Sequence, residues 1–196
     1  MAMPVEWRIA GFERAEEPVV GAVTKFGGQP HWIGEPQWPV SAGWGTPMRF
    51  VAQIDLRLVG GEGLAYVFVT HGEHGRDVED FDPDVIYPDG GENAVIVQPG
   101  GDYGGEVRDL REGPTLYDPD GSAAEYTVEL VLGAQPEDDA IGGAAPPPHK
   151  DGGAWRGLLR LATNWTPFYL NLGAAPLAFA LLSADGRRGQ FLVEDS

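Results

Sequence analysis

The chain has 196 residues, no cysteine and a formal net charge of −17. The missing cysteines exclude disulfides, thiolate metal sites and thiol catalysis. The negative charge disfavours nucleic acid and anionic membranes as partners and favours a basic protein or peptide. A single ordered domain over residues 1–196 is expected, and its 29 glycines and 17 prolines predict many turns and loops.

The N-terminal segment MAMPVEWRIAGFERAEEPVV lacks the basic start and apolar run of a signal peptide. No stretch reaches the roughly 18 apolar residues that a membrane helix needs. We therefore expect a cytoplasmic protein without a membrane partner.

The first distinctive segment is FGGQPHWIGEPQWP, residues 26–39. Gly27 and Gly28 predict a tight turn that allows close backbone approach, and Pro30 stiffens the extended chain after it. Two interpretations of the tryptophans stand. In the first, they form a lid on the next strand; in the second, they line a peptide or sugar groove. The groove would comprise the candidate ligand-binding residues Trp32, Trp38, Trp44, Gln53 and Asp55.

The next segments alternate between apolar and polar residues, which is typical of strands. In residues 48–58, alternation places Met48, Phe50, Ala52, Ile54, Leu56 and Leu58 on one face and Gln53 and Asp55 on the other. Further strands are predicted at 64–70, 93–98, 125–132, 157–163, 168–172, 177–183 and 189–194, with a hairpin turn at 184–187. One short helix over 12–18 or 107–112 is the most that the pattern allows. The predicted fold is mainly β, α+β at most, with antiparallel sheets and long Gly/Pro-rich loops.

The order of elements recurs along the chain. FGGQP (26–30) is echoed by IGGAAP (141–146), and an alignment pairs Arg49 with Arg156. The apolar strand that follows each match is also similar, at 63–75 and 176–189. This repeated order predicts an internal duplication with tentative halves 1–110 and 111–196.

Other clusters suggest chemistry less specifically. THGEHG (70–75) contains His71, Glu73 and His74, but the spacing fits no zinc motif. DVEDFDPD (77–84) and YDPDGS (117–122) offer oxygen ligands, yet the calcium-loop spacing fails. Residues 61–140 hold twenty acids and three bases, and we expect them to be scattered on exposed loops. We expect no metal, no cofactor and no catalytic residue.

Three motifs together resemble the YwqG-like family of bacterial proteins of unknown function: FGGQPHWIGEPQWPV, GTPMRFVAQIDL and DGGENAVIVQPGG. The family's landmarks fall on Gly27, Gly28, Pro30, Trp38, Pro39, Gln53, Ile54 and Asp55. Arg160 stands where members carry a second glutamine. A shorter stretch is similar to the N-terminal part of programmed cell death protein 2, which is linked to escorting a ribosomal protein and whose cysteines are absent here. The resemblance implies no reaction or cofactor.

Three classes of function stay open. The first is a non-catalytic interaction protein, antitoxin-like or chaperone-like, that captures a protein partner, with a basic partner favoured by charge. The second is small-molecule or glycan binding through the tryptophan loop. The third is a hydrolase with a carboxylate site that the sequence does not reveal.

Overall fold

The computed structural model describes residues 5–71, 83–146, 155–173 and 176–195. These residues form twelve strands and three short 3-10 helices, and they contain no α-helix. The strands are β1 Glu6–Arg14, β2 Lys25–Gly27, β3 Trp38–Pro39, β4 Arg49–Asp55, β5 Leu64–Val69, β6 Asn93–Gln98, β7 Val107–Arg108, β8 Glu125–Leu132, β9 Ala140–Gly142, β10 Trp155–Ala162, β11 Pro176–Ser183 and β12 Gly189–Asp195. The 3-10 helices are η1 Leu56–Val59, η2 Pro83–Ile86 and η3 Thr163–Trp165. None of these described helices has the length and apolar character needed to cross a membrane.

Ten strands form one antiparallel sheet in the order β12-β11-β10-β9-β1-β8-β2-β4-β5-β6, and β3 pairs with β7 separately. The mainly β, antiparallel prediction is confirmed. Neither short helix forms, because residues 12–14 belong to β1 and residues 107–108 form β7. The predicted strand at 168–172 is irregular chain, whereas β1 was not predicted.

The sheet curls around one apolar core. Strands from both ends of the sheet supply this core, and β6 contacts β12. A second apolar cluster lies on the opposite face of β4, β5 and β6, around Trp38, Phe50 and Phe68. Both faces of these three strands are therefore buried.

The alternation predicted for β4 is wrong at its start. Met48 and Phe50 belong to the second cluster, whereas Ala52, Ile54 and Leu56 belong to the main core. The reason is a register shift in the pairing of β4 with β5 between Phe50 and Ala52. An extra residue at such a bulge moves the preceding side chains to the other face.

Two groups of four strands have corresponding pairings. Outward from the centre, the groups are β2-β4-β5-β6 and β9-β10-β11-β12. Arg49 pairs with Val69, and Arg156 pairs with Leu182. Each pairing then shifts register one residue later, at Phe50/Ala52 and at Gly157/Leu159. Arg49 and Arg156 thus occupy corresponding places, and so do Gln53 and Arg160.

Each group is bordered at the centre of the sheet by a strand that is distant from it in sequence. β1 pairs with β9 of the second group, and β8 pairs with β2 of the first. β1 and β8 also pair with each other at the centre of the sheet. Each group therefore depends on a strand from the opposite half of the chain.

A Gly-Gly turn lies at the end of β2, and a corresponding Gly-Gly turn lies at the end of β9. Gly27 has φ 69° and Gly28 has φ 65°, while Gly142 and Gly143 have φ 89° and 88°. A Cβ at Gly27 would lie 2.0 Å from the carbonyl oxygen of Ala124, and one at Gly142 would lie 2.3 Å from that of Val5. These positive φ values and close approaches are what a tight turn requires, and Pro30 after the turn is buried. The predicted hairpin at 184–187 also forms, with Gly186 at φ 71°.

We expect Gly27→Ala and Gly142→Ala each to lower the free energy of unfolding by at least about 2 kcal/mol, because both combine a left-handed φ with a backbone clash. Urea unfolding measures this change. Gly11→Ala is the control, since a Cβ there meets nothing within 4 Å and its φ is not positive. Tolerance of alanine at both turn positions would contradict the close-approach interpretation.

Candidate functional site

Trp38 lies inside the second apolar cluster and has no exposed surface. Its indole Nε1 donates to the carbonyl oxygen of Met48 at 2.7 Å, and its ring packs edge-on against Phe68. Its polar group is thus satisfied within the protein. Trp38 cannot line an open groove.

Trp32 and Trp44 lie at different depths. Trp32 is half-buried, with its ring centroid 4.7 Å from that of Tyr66 and its plane nearly parallel to Phe68. Trp44 is 40% exposed on the loop before β4. That loop is anchored through the buried Glu92, which accepts hydrogen bonds from the Ser41 hydroxyl and the Gly43 amide.

Gln53 is fully buried and holds loop backbone. Its Oε1 accepts from the amide of His31 at 2.8 Å, while its Nε2 donates to the carbonyl oxygens of Gly21 and Val23. Such an arrangement satisfies backbone groups that would otherwise be buried without partners. Gln53 therefore has a structural role.

The neighbouring strands repeat this arrangement. On β5, the Tyr66 hydroxyl donates to the His31 carbonyl at 2.8 Å and accepts from the Ile33 amide at 3.2 Å. On β6, the Gln98 side chain accepts from the Gly34 amide and donates to the Glu35 carbonyl. Three adjacent strands thus fasten the tryptophan loop to the sheet.

Asp55 caps η1 and pairs with Arg57. Its carboxylate accepts from the backbone amide and from the guanidinium of Arg57, with an Oδ2–Nη2 distance of 2.7 Å. Burial opposes ionisation, but the hydrogen bonds and charge of Arg57 outweigh it and lower the pKa of Asp55.

The groove interpretation does not hold for Trp38 and Gln53, and the lid interpretation fits the burial of the loop.

We expect Tyr66→Phe to lower the free energy of unfolding at neutral pH by about 1–3 kcal/mol, because the His31 carbonyl and Ile33 amide lose a partner. Burial raises the pKa of Tyr66 to about 12. The pKa of an unfolded tyrosine is near 10. The neutral Tyr66 hydroxyl therefore stabilises the folded state fully below about pH 10, and this stabilisation is lost as the pH rises to about 12. The variant should lose stability less steeply there, as measured by urea unfolding at a series of pH values. An unchanged alkaline slope would contradict this account of Tyr66.

A buried ion pair lies beneath the Gly27-Gly28 turn. Lys25 on β2 is only 2% exposed, and its Nζ donates to Glu125 Oε1 at 2.6 Å and to the Val19 carbonyl at 2.8 Å. The Val19 amide donates to the same Oε1. A Cβ at Gly28 would lie 2.3 Å from the carboxyl carbon of Glu125, so glycine leaves the space that this carboxylate occupies.

An open cleft of about 690 Å³ adjoins this pair. Its walls are the chain after β1, the Gly28 turn and the chain entering β8, namely Arg14, Ala15, Glu16, Glu17, Pro18, Gly28, Ala123, Ala124 and Glu125. The volume is in the range of small-ligand sites. The cleft is therefore the candidate functional site.

The one basic residue of the cleft wall is already paired. Arg14 Nη2 lies 2.8 Å from Asp118 Oδ2. Asp118 is buried and also accepts a hydrogen bond from the hydroxyl of Tyr126. Burial, followed by this hydrogen bond, raises the pKa of Tyr126 to about 12. Arg14 thus contributes little uncompensated positive charge to the cleft.

The corresponding place in the second group is built differently. Glu6 and Glu125 correspond in the strand pairings, and a Cβ at Gly143 would lie 2.7 Å from Glu6 Oε1. Glu6 pairs with Arg160 at 3.1 Å, and Arg160 also donates to the Asp138 carbonyl. The cation thus comes from the place that Gln53 holds in the first group.

The sequence did not reveal Lys25 as a site residue, and the 117–122 segment with Asp118 was considered only as a calcium loop whose spacing fails. Lys25 and Glu125 are 100 positions apart, and nothing in either local pattern shows that they meet. The available signal was a lone lysine directly before Phe26 and the Gly-Gly turn.

The structure adds little support for a metal site in the segments 70–75, 77–84 and 117–122. His71 stacks edge-on with Tyr169, while Glu73, His74 and residues 77–82 lie outside the described residues. In the 117–122 segment, Asp120 is exposed and accepts from Ser122, whereas Asp118 pairs with Arg14. Across the described ranges, no three His, Asp or Glu side chains come together as metal ligands would.

We expect Lys25→Met to lower the free energy of unfolding by about 3–5 kcal/mol, since it leaves the Glu125 carboxylate largely buried without its cation. The double variant Lys25→Met/Glu125→Leu should be more stable than Lys25→Met alone. Urea unfolding of the four members of this cycle gives the coupling energy. Strictly additive effects would contradict a coupled pair.

The protein is an antiparallel β-protein whose curled sheet carries an open cleft lined by Gly28 and by acidic residues. A family model described as a domain of unknown function (DUF1963) matches residues 24–127, just over half of the chain. The chain belongs to the DUF1963 family. The match runs from the residue before β2 into β8 and includes the Gly-Gly turn, the tryptophan loop, Lys25 and Glu125. No curated protein matches the chain.

Proposed function

We propose that this protein is a non-catalytic binding protein that captures a basic protein partner. The observation that supports this proposal best is the cleft beside Gly28, which combines a ligand-sized volume with uncompensated acidic residues. Lys25 offsets Glu125, and Arg14 offsets Asp118. Glu16 and Glu17 remain as exposed wall residues, so the cleft favours a cation.

The charge of the whole chain acts in the same direction. A net charge of −17 attracts basic partners over a distance of about one Debye length and raises their association rate. Antitoxin-like or chaperone-like capture would use this attraction. A cytoplasmic location is part of the proposal.

Glycan binding through the tryptophan loop has less support. Trp38 and Gln53 are buried, and Trp44 alone among the three tryptophans is exposed. One exposed ring, with Gln53 buried beneath the loop, gives a sugar little to bind.

The finer relationship also belongs to this proposal. We infer that the chain is YwqG-like, since Gly27, Gly28 and Gln53 hold positions that the fold requires. We also infer that the two groups of strands arose by duplication. The matching register shifts and Gly-Gly turns support this origin.

We expect the protein to bind a fluorescent (Arg-Gly)5 peptide with a Kd that rises at least tenfold between 50 and 300 mM NaCl, because counter-ions screen the exposed acids. Fluorescence anisotropy measures the Kd, and a (Glu-Gly)5 peptide is the control. Absence of (Arg-Gly)5 binding, or equal binding of a neutral (Ser-Gly)5 peptide, would refute capture by charge.

A further inference from the structure

We propose that the cleft beside Gly28 binds one arginine or lysine side chain of the partner, with Glu125 Oε2 as its principal acceptor. This inference rests on the proposed function and assigns its site. Glu125 Oε2 is the atom that would contact the cation, and the other residues of the cleft wall would surround it.

The Glu125 carboxylate has two unequal oxygens. Oε1 accepts from Lys25 Nζ at 2.6 Å and from the Val19 amide at 3.2 Å. For Oε2, no donor is found among the described residues, and the Glu125 side chain is 15% exposed in the wall of the cleft. A carboxylate can accept up to about four hydrogen bonds, so Oε2 is free to receive a donor from a ligand.

Gly28 packs directly against this carboxylate. A Cβ at position 28 would lie 2.7 Å from Oε2 and closer still to Oε1, so a larger residue would displace the carboxylate. The left-handed φ of 65° at Gly28 and the hydrogen bond from its amide to the Ala124 carbonyl hold the backbone beside β8. Glycine at this position therefore allows the carboxylate to stay in the cleft wall as well as forming the turn.

The position of Lys25 is consistent with recognition of a second cation. Its Nζ is occupied by Glu125 and the Val19 carbonyl, and the Lys25 side chain is only 2% exposed. A carboxylate held in place by an internal lysine loses little side-chain entropy on binding, which favours affinity. Glu16 and Glu17 add negative potential at the mouth without being fixed to other residues by an ion pair in the described chain.

The volume fits a side chain together with part of its backbone. About 690 Å³ exceeds one arginine side chain, and the cleft is open rather than enclosed. The cleft therefore has room for a basic side chain carried on an extended segment. A charge-assisted hydrogen bond from its guanidinium or ammonium group to Oε2 would anchor it.

The test uses the full chain and the peptide acetyl-Gly-Ala-Arg-Ala-Gly-amide, with the citrulline peptide as its neutral isostere. We expect 1H–15N NMR signals of Ala15, Gly28, Ala123 and Glu125 to shift with the arginine peptide. The citrulline peptide should bind at least tenfold more weakly. The lysine peptide separates recognition of charge from recognition of the planar guanidinium.

Two variants with the same change in net charge make the test local. Glu16→Gln/Glu17→Gln lies in the cleft wall, and Glu62→Gln/Asp89→Asn changes two exposed acids elsewhere. The first variant should weaken binding at least fivefold, whereas the second should change it less than twofold. Glu125→Gln, whose fold is checked by its NMR spectrum, should abolish the shift at Gly28.

The two proposals fail in different ways. If (Arg-Gly)5 binds with salt dependence but the shifts lie away from the cleft, or if both double variants weaken binding equally, this site assignment is overturned and basic capture stands. If no basic peptide binds, both proposals fall. Shifts at Gly28 that persist in Glu125→Gln would also overturn the role of Oε2.

Discussion

The close approach of the Gly27 backbone to Ala124 is the constraint on which the rest of the structure depends. β2 has only three residues, yet it must pair with β4 on one side and with β8 on the other. The Gly28 amide completes this junction by donating to the Ala124 carbonyl at 2.8 Å. Because a Cβ at Gly27 would occupy the position of that carbonyl, glycine makes the junction possible. The same contact joins the first half of the chain to the second.

The two central strands make this junction cooperative. β8 pairs with β2 of the first group, and β1 pairs with β9 of the second. Neither group gains its central neighbour before the chain has closed over 100 positions from Phe26 to Tyr126, or over 134 positions from Trp7 to Ile141. Such long-range pairing predicts slow folding. It also predicts a single unfolding transition, because each group of four strands pairs with a central strand from a distant part of the chain.

Local patterns predicted the features that local physics controls. The apolar strands β5 and β6, the Asp-Gly hairpin before β12 and the Gly-Gly turn all follow from residue types within a few positions. The bulge in β4 was missed because alternation assumes a continuous period of two, and Val51 carries no mark of an extra residue. β1 was missed because its sequence EWRIAGFER is half polar, and its partners β8 and β9 lie more than 100 residues away.

The candidate site was missed for the same reason. Tryptophan and glutamine in a Pro-rich loop resemble a ligand groove, but composition cannot distinguish a lid from a lining. The burial of the tryptophan loop distinguishes the two. That burial depends on whether β4, β5 and β6 present Gln53, Tyr66 and Gln98 on one face. The cleft instead arises where three distant segments meet: the end of β1, the turn after β2 and the start of β8.

The correspondence between the two groups shows that one structural position is built in two ways. Glu6 and Glu125 lie against corresponding Gly-Gly turns, so the sheet places a partly buried carboxylate at such a turn twice. In the second group, Arg160 reaches Glu6 from β10 and also ties down the chain after β8 through the Asp138 carbonyl. In the first group, the uncharged Gln53 occupies that strand position, and the cation is Lys25, which is 2% exposed against 17% for Arg160. In both pairs the cation contacts Oε1 of the carboxylate. The same sheet thus accommodates two different sources of the charge that compensates the carboxylate beside each Gly-Gly turn.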